Sequence, residues 1–245
     1  MWKGGYFKDE ASGIMGDANG DGDVSVADVL ITVDYVLGKN PAGFIFANAN
    51  VNGDANVTLT DVTAIVDLVL NQKSAPAVAN ARESVADAIS IFAKGGRATV
   101  VLDNSEPFKA LQFRVAMPEG AEMGNAALEP TRSNGHQVLT HQVAPGLYNV
   151  VVYGNSSTDL RDGSLPLLRF DYAGCQPGDI SIEDVQLVNG QYETVVPTGI
   201  LTGISIAEIG GEDSDDQPYY NTVGIGTNTP TRGVYIRNGK KVVVK

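Results

Sequence analysis

The stretch Asp17-Ala-Asn19-Gly-Asp21-Gly-Asp23-Val-Ser25-Val-Ala-Asp28 decides how the chain begins to fold, because it recurs 33 residues later as Asn50-Val-Asn52-Gly-Asp54-Ala-Asn56-Val-Thr58-Leu-Thr-Asp61. The two stretches align without a gap, and each has a valine at its eighth position. Oxygen-bearing side chains occupy positions 1, 3, 5, 7, 9 and 12 of both. Calcium prefers about six to eight oxygen ligands at flexible distances, which this alternation supplies. The sequence therefore predicts two EF-hand-like calcium loops.

Calcium ligands are predicted at the same positions in both loops. The first loop supplies Asp17, Asn19, Asp21, Asp23, Ser25 and Asp28, and the second supplies Asn50, Asn52, Asp54, Asn56, Thr58 and Asp61. The second loop has Asn50 in place of Asp17 and Ala55 in place of Gly22. It therefore carries less negative charge and lacks the glycine that favours a sharp turn. We expect two Ca²⁺ ions, with the first loop binding more tightly.

Each loop is followed by an amphipathic helical pattern. The apolar residues that recur at helical spacing are Val26, Val29, Leu30, Val33, Val36 and Leu37 in the first, and Leu59, Val62, Ile65, Val66, Val69 and Leu70 in the second. Gly38 and Pro41 are expected to end the first helix. Neither helix can bury its apolar face alone, so we expect the two to pack together. The sequence predicts a small all-α module of paired calcium loops and helices over residues 14–72.

The rest of the chain has a different periodicity. Residues 73–86 are small and polar and are interpreted as a linker. Over residues 87–209, apolar residues alternate with polar ones, as in Leu111, Phe113 and Val115, and turn residues separate the runs. This pattern predicts an antiparallel β-sandwich.

Two further segments end the chain. Residues 210–218 are predicted to be an acidic linker, and residues 219–245 contain two strand-like runs around Asn238-Gly239. This turn dipeptide predicts a C-terminal β-hairpin. The last fourteen residues hold five cations and no acid, namely Arg232, Arg237, Lys240, Lys241 and Lys245.

Composition and the absence of known motifs argue against several classes of function. The net charge of −12 argues against nucleic acid as a partner, because phosphate binding requires clustered Lys and Arg. The sequence contains no apolar run long enough for a transmembrane segment. The histidines, His136 and His141, fall on opposite faces of a predicted strand, so they cannot share a metal there. With no catalytic motif elsewhere, the sequence predicts a protein that is not an enzyme and has no catalytic residues.

Three resemblances follow from these residues. The paired loops, with Asp rather than Glu at position 12, resemble a dockerin of type I repeat. Residues 102–120 resemble the early strands of a cohesin-like β-sandwich, and residues 233–245 resemble the C-terminal sorting tails of Bacteroidetes proteins. Cellulosomal dockerins commonly carry Ser-Thr at loop positions 10 and 11. This chain has Val26-Ala27 and Leu59-Thr60 there, which implies a different partner.

The resemblances imply a noncatalytic, calcium-binding protein–protein interaction or assembly module of a secreted or cell-surface bacterial protein. Its partner would be a cohesin-like domain, in cis or in trans. In a simpler hypothesis, calcium stabilises the fold and the helices have no external partner. An alternative hypothesis assigns a different kind of function. In it, the chain is a carbohydrate-binding accessory region of a larger polysaccharide-degrading enzyme, and calcium is purely structural. A glycan would then stack on Tyr148, Tyr153 or Tyr192.

Overall fold

The computed structural model describes the backbone of residues 13–74, 81–154, 158–205, 219–221, 226–227, 233–237 and 240–244, and side chains as far as residue 202. It contains a helical layer, a large curved sheet and a small C-terminal sheet. None of the described helices has the length and apolar character needed to cross a membrane. The predicted linkers, residues 75–80 of the first and residues 210–218, lie outside the described residues.

The two principal helices begin where the calcium-loop patterns end. Helix α1 spans Val26–Val36 and helix α3 spans Leu59–Leu70, with the short helix α2, Phe46–Ala49, between them. Ser25 and Thr58 cap the N-termini of α1 and α3, and Asp28 and Asp61 complete a capping box in each. Loop positions 9 and 12 therefore have a structural role as helix caps, in addition to the ligand role predicted for them.

Nine strands form one sheet in the order β4-β7-β2-β1-β9-β8-β3-β6-β5. Their bounds are β1 Arg82–Lys94, β2 Arg97–Asn104, β3 Phe108–Ala116, β4 Glu122–Leu128, β5 His136–Ala144, β6 Leu147–Gly154, β7 Gly163–Ala173, β8 Ser181–Asn189 and β9 Thr194–Ser205. A four-residue helix, α4 (Pro130–Ser133), joins β4 to β5, and a 3₁₀ turn, Pro177–Asp179, precedes β8.

The sheet is mixed, which corrects the prediction of a purely antiparallel sandwich. Strands β1 and β9 run parallel, whereas the other pairs of this sheet are antiparallel. Alternation of apolar and polar residues is the same for both kinds of pairing, so the sequence pattern could not reveal the difference. The sheet curves until β4 and β5 approach each other, giving a nearly closed sandwich. Strand β1 also begins earlier than expected, at Arg82.

A separate four-stranded sheet near the C-terminus has the order β11-β10-β12-β13. The predicted hairpin is present, since β12 (Gly233–Arg237) pairs antiparallel with β13 (Lys240–Val244). Strands β10 (Tyr219–Asn221) and β11 (Gly226–Thr227) extend it and were not predicted. A hairpin alone is marginal in water, and the added strands give this one support.

The apolar core lies inside the curved sheet and is built from the inward-facing residues of its strands, among them Phe108, Phe113 and Phe170. A second apolar cluster lies on the outer surface of the sheet, beneath α1 and α3. Helix α1 is buried on every side from Val26 to Asp34. A helix that is buried all round is an interior element, and α1 is enclosed by α3, by the sheet and by the segment around α2.

Candidate calcium loops and docking interface

The first loop is folded around the Asp17 carboxylate. Its Oδ1 accepts hydrogen bonds from the backbone N–H groups of Gly20 (2.7 Å) and Asp21 (3.1 Å), and its Oδ2 accepts one from Gly22 (3.1 Å). Gly22 has a φ of +100°, a conformation that favours glycine at this sixth loop position. At the end of the loop, buried Asp28 accepts from the N–H of Asn19 (3.1 Å) and of Ser25 (2.8 Å). The loop is therefore shaped by its carboxylates.

The second loop repeats part of this pattern. Asp61 accepts from the N–H groups of Asn52 (3.2 Å) and Thr58 (2.9 Å), as Asp28 does 33 residues earlier. Position 1 differs, because the Asn50 side chain donates from Nδ2 to the Asp54 carbonyl oxygen (2.6 Å). The Asn50 Oδ1 atom is buried without a hydrogen-bond partner among the described residues. A buried acceptor without a donor is energetically costly, and a bound cation would satisfy it.

The donor chemistry of both loops fits a hard cation. Every predicted ligand side chain presents oxygen, and no thiol or imidazole is among them. Within the described part of the chain, no three His, Cys, Asp or Glu side chains are grouped closely enough to hold a metal. Carboxylates alone therefore do not make a site, and the amide, hydroxyl and backbone oxygens would have to complete it. Calcium binding at these twelve residues stays a prediction.

Burial raises the pKa of the Asp28 carboxyl from 3.8 to about 7, with hydrogen bonds from Ser25 and Asn19 lowering it and the nearby charges of Asp21 and Asp17 raising it. Metal-free folded protein thus binds this proton more tightly than unfolded protein does. Its contribution to stability is present below pH 3.8 and is lost as pH rises through about 7. In chelator, we expect wild-type protein to gain stability relative to Asp28→Asn as pH falls from 8 to 5, measured by thermal unfolding. An equal pH dependence of the two proteins would contradict this expectation.

The helical pair is docked on the outer surface of strands β3, β6 and β8. The apolar part of this interface comprises Val26, Ala27, Val29, Leu30 and Val33 of α1, Val62, Ile65, Val66, Val69 and Leu70 of α3, and Ala110, Val151, Tyr153 and Val188 of the sheet. Each large aliphatic side chain that is fully buried contributes about 1.5–3 kcal/mol. Helices and sheet therefore share one apolar interface.

Polar side chains of the sheet contact the ends of both helices. At the start of α1, the Gln112 Oε1 atom accepts a hydrogen bond from the N–H of Val26 (2.8 Å). The first N–H groups of a helix have no partner within the helix, so this contact supplies one. Val26 occupies loop position 10, where the resemblance to cellulosomal dockerins fails. In this chain the position faces the protein's own sheet.

The C-terminal end of α3 receives donors instead. Asn149 Nδ2 donates to the carbonyl oxygens of Leu70 (2.9 Å) and Gln72 (2.8 Å). Arg114 is only 7 % exposed and donates to the carbonyls of Gln72 (3.2 Å) and Ser74, while its Nε donates to Asn149 Oδ1 (3.0 Å). A cation at a helix C-terminus is favourable because the last carbonyls carry partial negative charge. The sheet thus presents an acceptor to the start of α1 and donors to the end of α3.

A further contact joins the last turn of α1 to the β8–β9 turn. Tyr192, which has a φ of +64°, donates its hydroxyl to Asp34 Oδ2 on α1 (2.8 Å). Burial and this hydrogen bond to Asp34 raise the pKa of Tyr192 above its usual value. Lys39 Nζ lies 2.6 Å from the other oxygen of Asp34. The buried Asp34 carboxylate is therefore held by one donor from the β8–β9 turn and one from the segment that follows α1.

Of the three tyrosines considered for glycan stacking, two are buried and the third is partly buried. Tyr148 and Tyr153 are buried at 7 % and 6 % exposure, and the hydroxyl of Tyr192 donates to Asp34. His136 is buried with its ring nitrogens facing the carbonyls of Ser133 and Lys109, while His141 is exposed.

Comparison with solved structures finds cohesin modules that are similar to part of this chain. Similar structures include a non-cellulosomal cohesin from Archaeoglobus fulgidus (TM-score 0.38, 12 % identity, 49 % of this chain and 88 % of that chain). Another is the sixth cohesin of scaffoldin B from Acetivibrio cellulolyticus, solved in complex with a dockerin (TM-score 0.36, 16 % identity, 47 % and 94 %). A third is the seventh ScaB type I cohesin from Pseudobacteroides cellulosolvens (TM-score 0.36, 9 % identity, 47 % and 87 %). The likeness concerns fold and covers about half of this chain.

No family model matches the sequence, and no curated protein matches it either. The dockerin resemblance of residues 14–72 and the sorting-tail resemblance of residues 219–245 therefore rest on the sequence motifs alone.

Proposed function

We propose that this chain is a noncatalytic interaction module in which a calcium-binding helical pair docks in cis on the chain's own sheet. The observation that supports it most is the match of Gln112, Asn149 and Arg114 to the two helix ends. These side chains satisfy terminal N–H and C=O groups of the helices that docking on the sheet removes from water. The arrangement has the polar specificity of a protein–protein interface, built within one chain.

Calcium has a defined task in this proposal. Asp28 and Asp61 cap α1 and α3 and are also the last predicted ligands of their loops. Ions bound there would neutralise the repulsion among Asp17, Asp21 and Asp28 and would satisfy the Asn50 oxygen. The ions would thereby fix α1 and α3 in the relative orientation in which they pack on the sheet. We propose two Ca²⁺ ions, with the first loop tighter, and a secreted or cell-surface location, where calcium is abundant.

Amide hydrogen exchange of the full chain, with calcium and with chelator, tests this proposal. With chelator we expect faster exchange in α1 and α3 and also in β6, whose outer surface the helices cover. The inner strands β1 and β2 serve as the internal control, because they lie away from the helices and their exchange should not change. Protection of β6 that is the same with and without calcium would show that docking does not depend on the ion. Binding to an array of glycans by the intact protein would support the carbohydrate alternative instead.

A further inference from the structure

The curved sheet is left open along one seam. Strand β4 pairs with β7 and strand β5 pairs with β6, and no pairing joins β4 to β5 among the described residues. The two strands are connected through α4 at one end. At the other end a groove of about 490 Å³ separates residues 119–122 from residues 142–146. Each strand therefore has a free edge of backbone donors and acceptors, and such edges can accept another strand.

The core is incompletely covered at this seam. Met123 and Ala126 of β4 and Val138 of β5 pack against the central apolar cluster but are only partly buried. Val143, at the groove itself, is also partly buried. In a fully closed sheet, a neighbouring strand would shield residues at these positions. A strand added at this seam to the free edge of β4 or of β5 would therefore bury apolar surface as well as forming backbone hydrogen bonds.

The groove is acidic. Glu119 and Glu122 line it, both are exposed, and neither forms an ion pair with another described residue. An extended segment with positive charge would complement these carboxylates. The C-terminal hairpin provides such a segment, because residues 232–245 contain five Lys and Arg and no acid. Its last strand, β13, is at the edge of its own sheet and pairs with β12 alone among the described strands.

We propose that the seam between β4 and β5 is a strand-accepting site whose occupant is the basic edge strand β13 of a second copy of this chain. Among the described strands of one chain β13 pairs with β12 alone, which leaves its other edge for a second molecule. Donor strand and acceptor seam are different surfaces, which makes the contact head-to-tail and allows chains of molecules to grow. The contact uses neither the helical pair nor the calcium loops, so it is independent of the function proposed above.

Charge reversal in the full-length protein tests this inference, with light scattering after size-exclusion chromatography as the readout. The acceptor variant carries Glu119→Lys and Glu122→Lys, and the donor variant carries Lys240→Glu and Lys241→Glu. Wild-type protein should self-associate as its concentration rises and less so at high salt, because the charges are exposed. Each variant alone should self-associate at least tenfold more weakly. An equimolar mixture should self-associate again, with the two variants in equal proportion. The donor variant retains its acidic seam for the basic strand of the acceptor variant, and the two reversed surfaces are also of opposite charge.

Several outcomes would overturn the inference. The inference is wrong if wild-type protein stays monomeric at all concentrations. This includes the case in which the tail of each molecule occupies the seam of the same molecule. Variants that each associate as well as wild type, or a mixture that does not associate, would overturn it too. Circular dichroism of both variants serves as the folding control, and the exposure of Glu119 and Glu122 makes a loss of folding unexpected.

Discussion

Replacing Arg114 with alanine is expected to lower the free energy of unfolding by about 2–4 kcal/mol. The change removes a largely buried side chain, leaves the Ser74 carbonyl and Asn149 Oδ1 without their guanidinium donor, and leaves the Gln72 carbonyl with Asn149 as its remaining donor. The guanidinium contacts the carbonyls of Gln72 and Ser74, and it lies 3.4 Å from Asp184. Denaturant unfolding of the full chain measures the change. The rate of hydrogen exchange of the α3 amides should rise at the same time, because the helix loses contacts with the sheet.

Arg169→Ala is the matched control for this prediction. Arg169 lies on another strand of the same sheet and forms an ion pair with Glu129 at 2.7 Å, but its side chain is 45 % exposed. Exposed ion pairs contribute about 0–1 kcal/mol, so this variant should unfold almost as wild type does. Equal losses in the two variants would mean that Arg114 has no special role in docking.

Asp17→Asn is expected to weaken calcium binding at the first loop by about ten- to a hundred-fold, or about 1.4–2.8 kcal/mol. The substitution removes a charge and gives the first loop the residue type that the second has at Asn50. The Asp17 carboxylate accepts hydrogen bonds from the backbone N–H groups of Gly20, Asp21 and Gly22. In the variant, the amide NH₂ of the asparagine would face at least one of these donors and could not accept from it. Calorimetric titration of the full chain measures both sites.

The reciprocal change, Asn50→Asp, is the control within the repeat. It should strengthen the second site by about tenfold, because it adds a charged oxygen at position 1. Two equal high-affinity sites in the wild-type protein would contradict the asymmetry between the loops. So would an Asp17→Asn variant with unchanged affinities.

The helical part of the fold could be predicted closely from sequence. The two apolar stripes predicted the helices, and most of their residues are buried, whereas Leu37 and Leu59 at the ends of the stripes are exposed. The structure adds that Ser25 and Thr58, predicted as ligands, cap the helices. The mutual packing of the helices followed because neither could bury its stripe alone. Helix formation and the position of the apolar face depend mainly on residues close together in the sequence, so both can be predicted from it.

The docking interface could not be predicted in the same way. Gln112, Arg114 and Asn149 stand at strand positions where polar residues normally face water, so nothing in the alternation marks them as contacts of a helix. They are buried because α1 and α3 cover that surface. The sequence offered docking in cis as one of two arrangements, and only the structure brings these side chains to the helix ends. The parallel pairing of β1 and β9 was hidden for a related reason, since strand neighbours are chosen by tertiary contacts.

The most direct test of docking in cis is a distance measured across the interface. Spin labels at Thr63→Cys on α3 and Thr140→Cys on β5, in a Cys175→Ala background, place one label on each partner at exposed positions. With calcium, pulsed electron paramagnetic resonance should give one narrow distribution of distances between the two labels. Dilution with unlabelled protein should leave this distribution unchanged, and chelator should broaden it. A broad distribution in the presence of calcium, or a distance lost on dilution with unlabelled protein, would contradict docking within one chain.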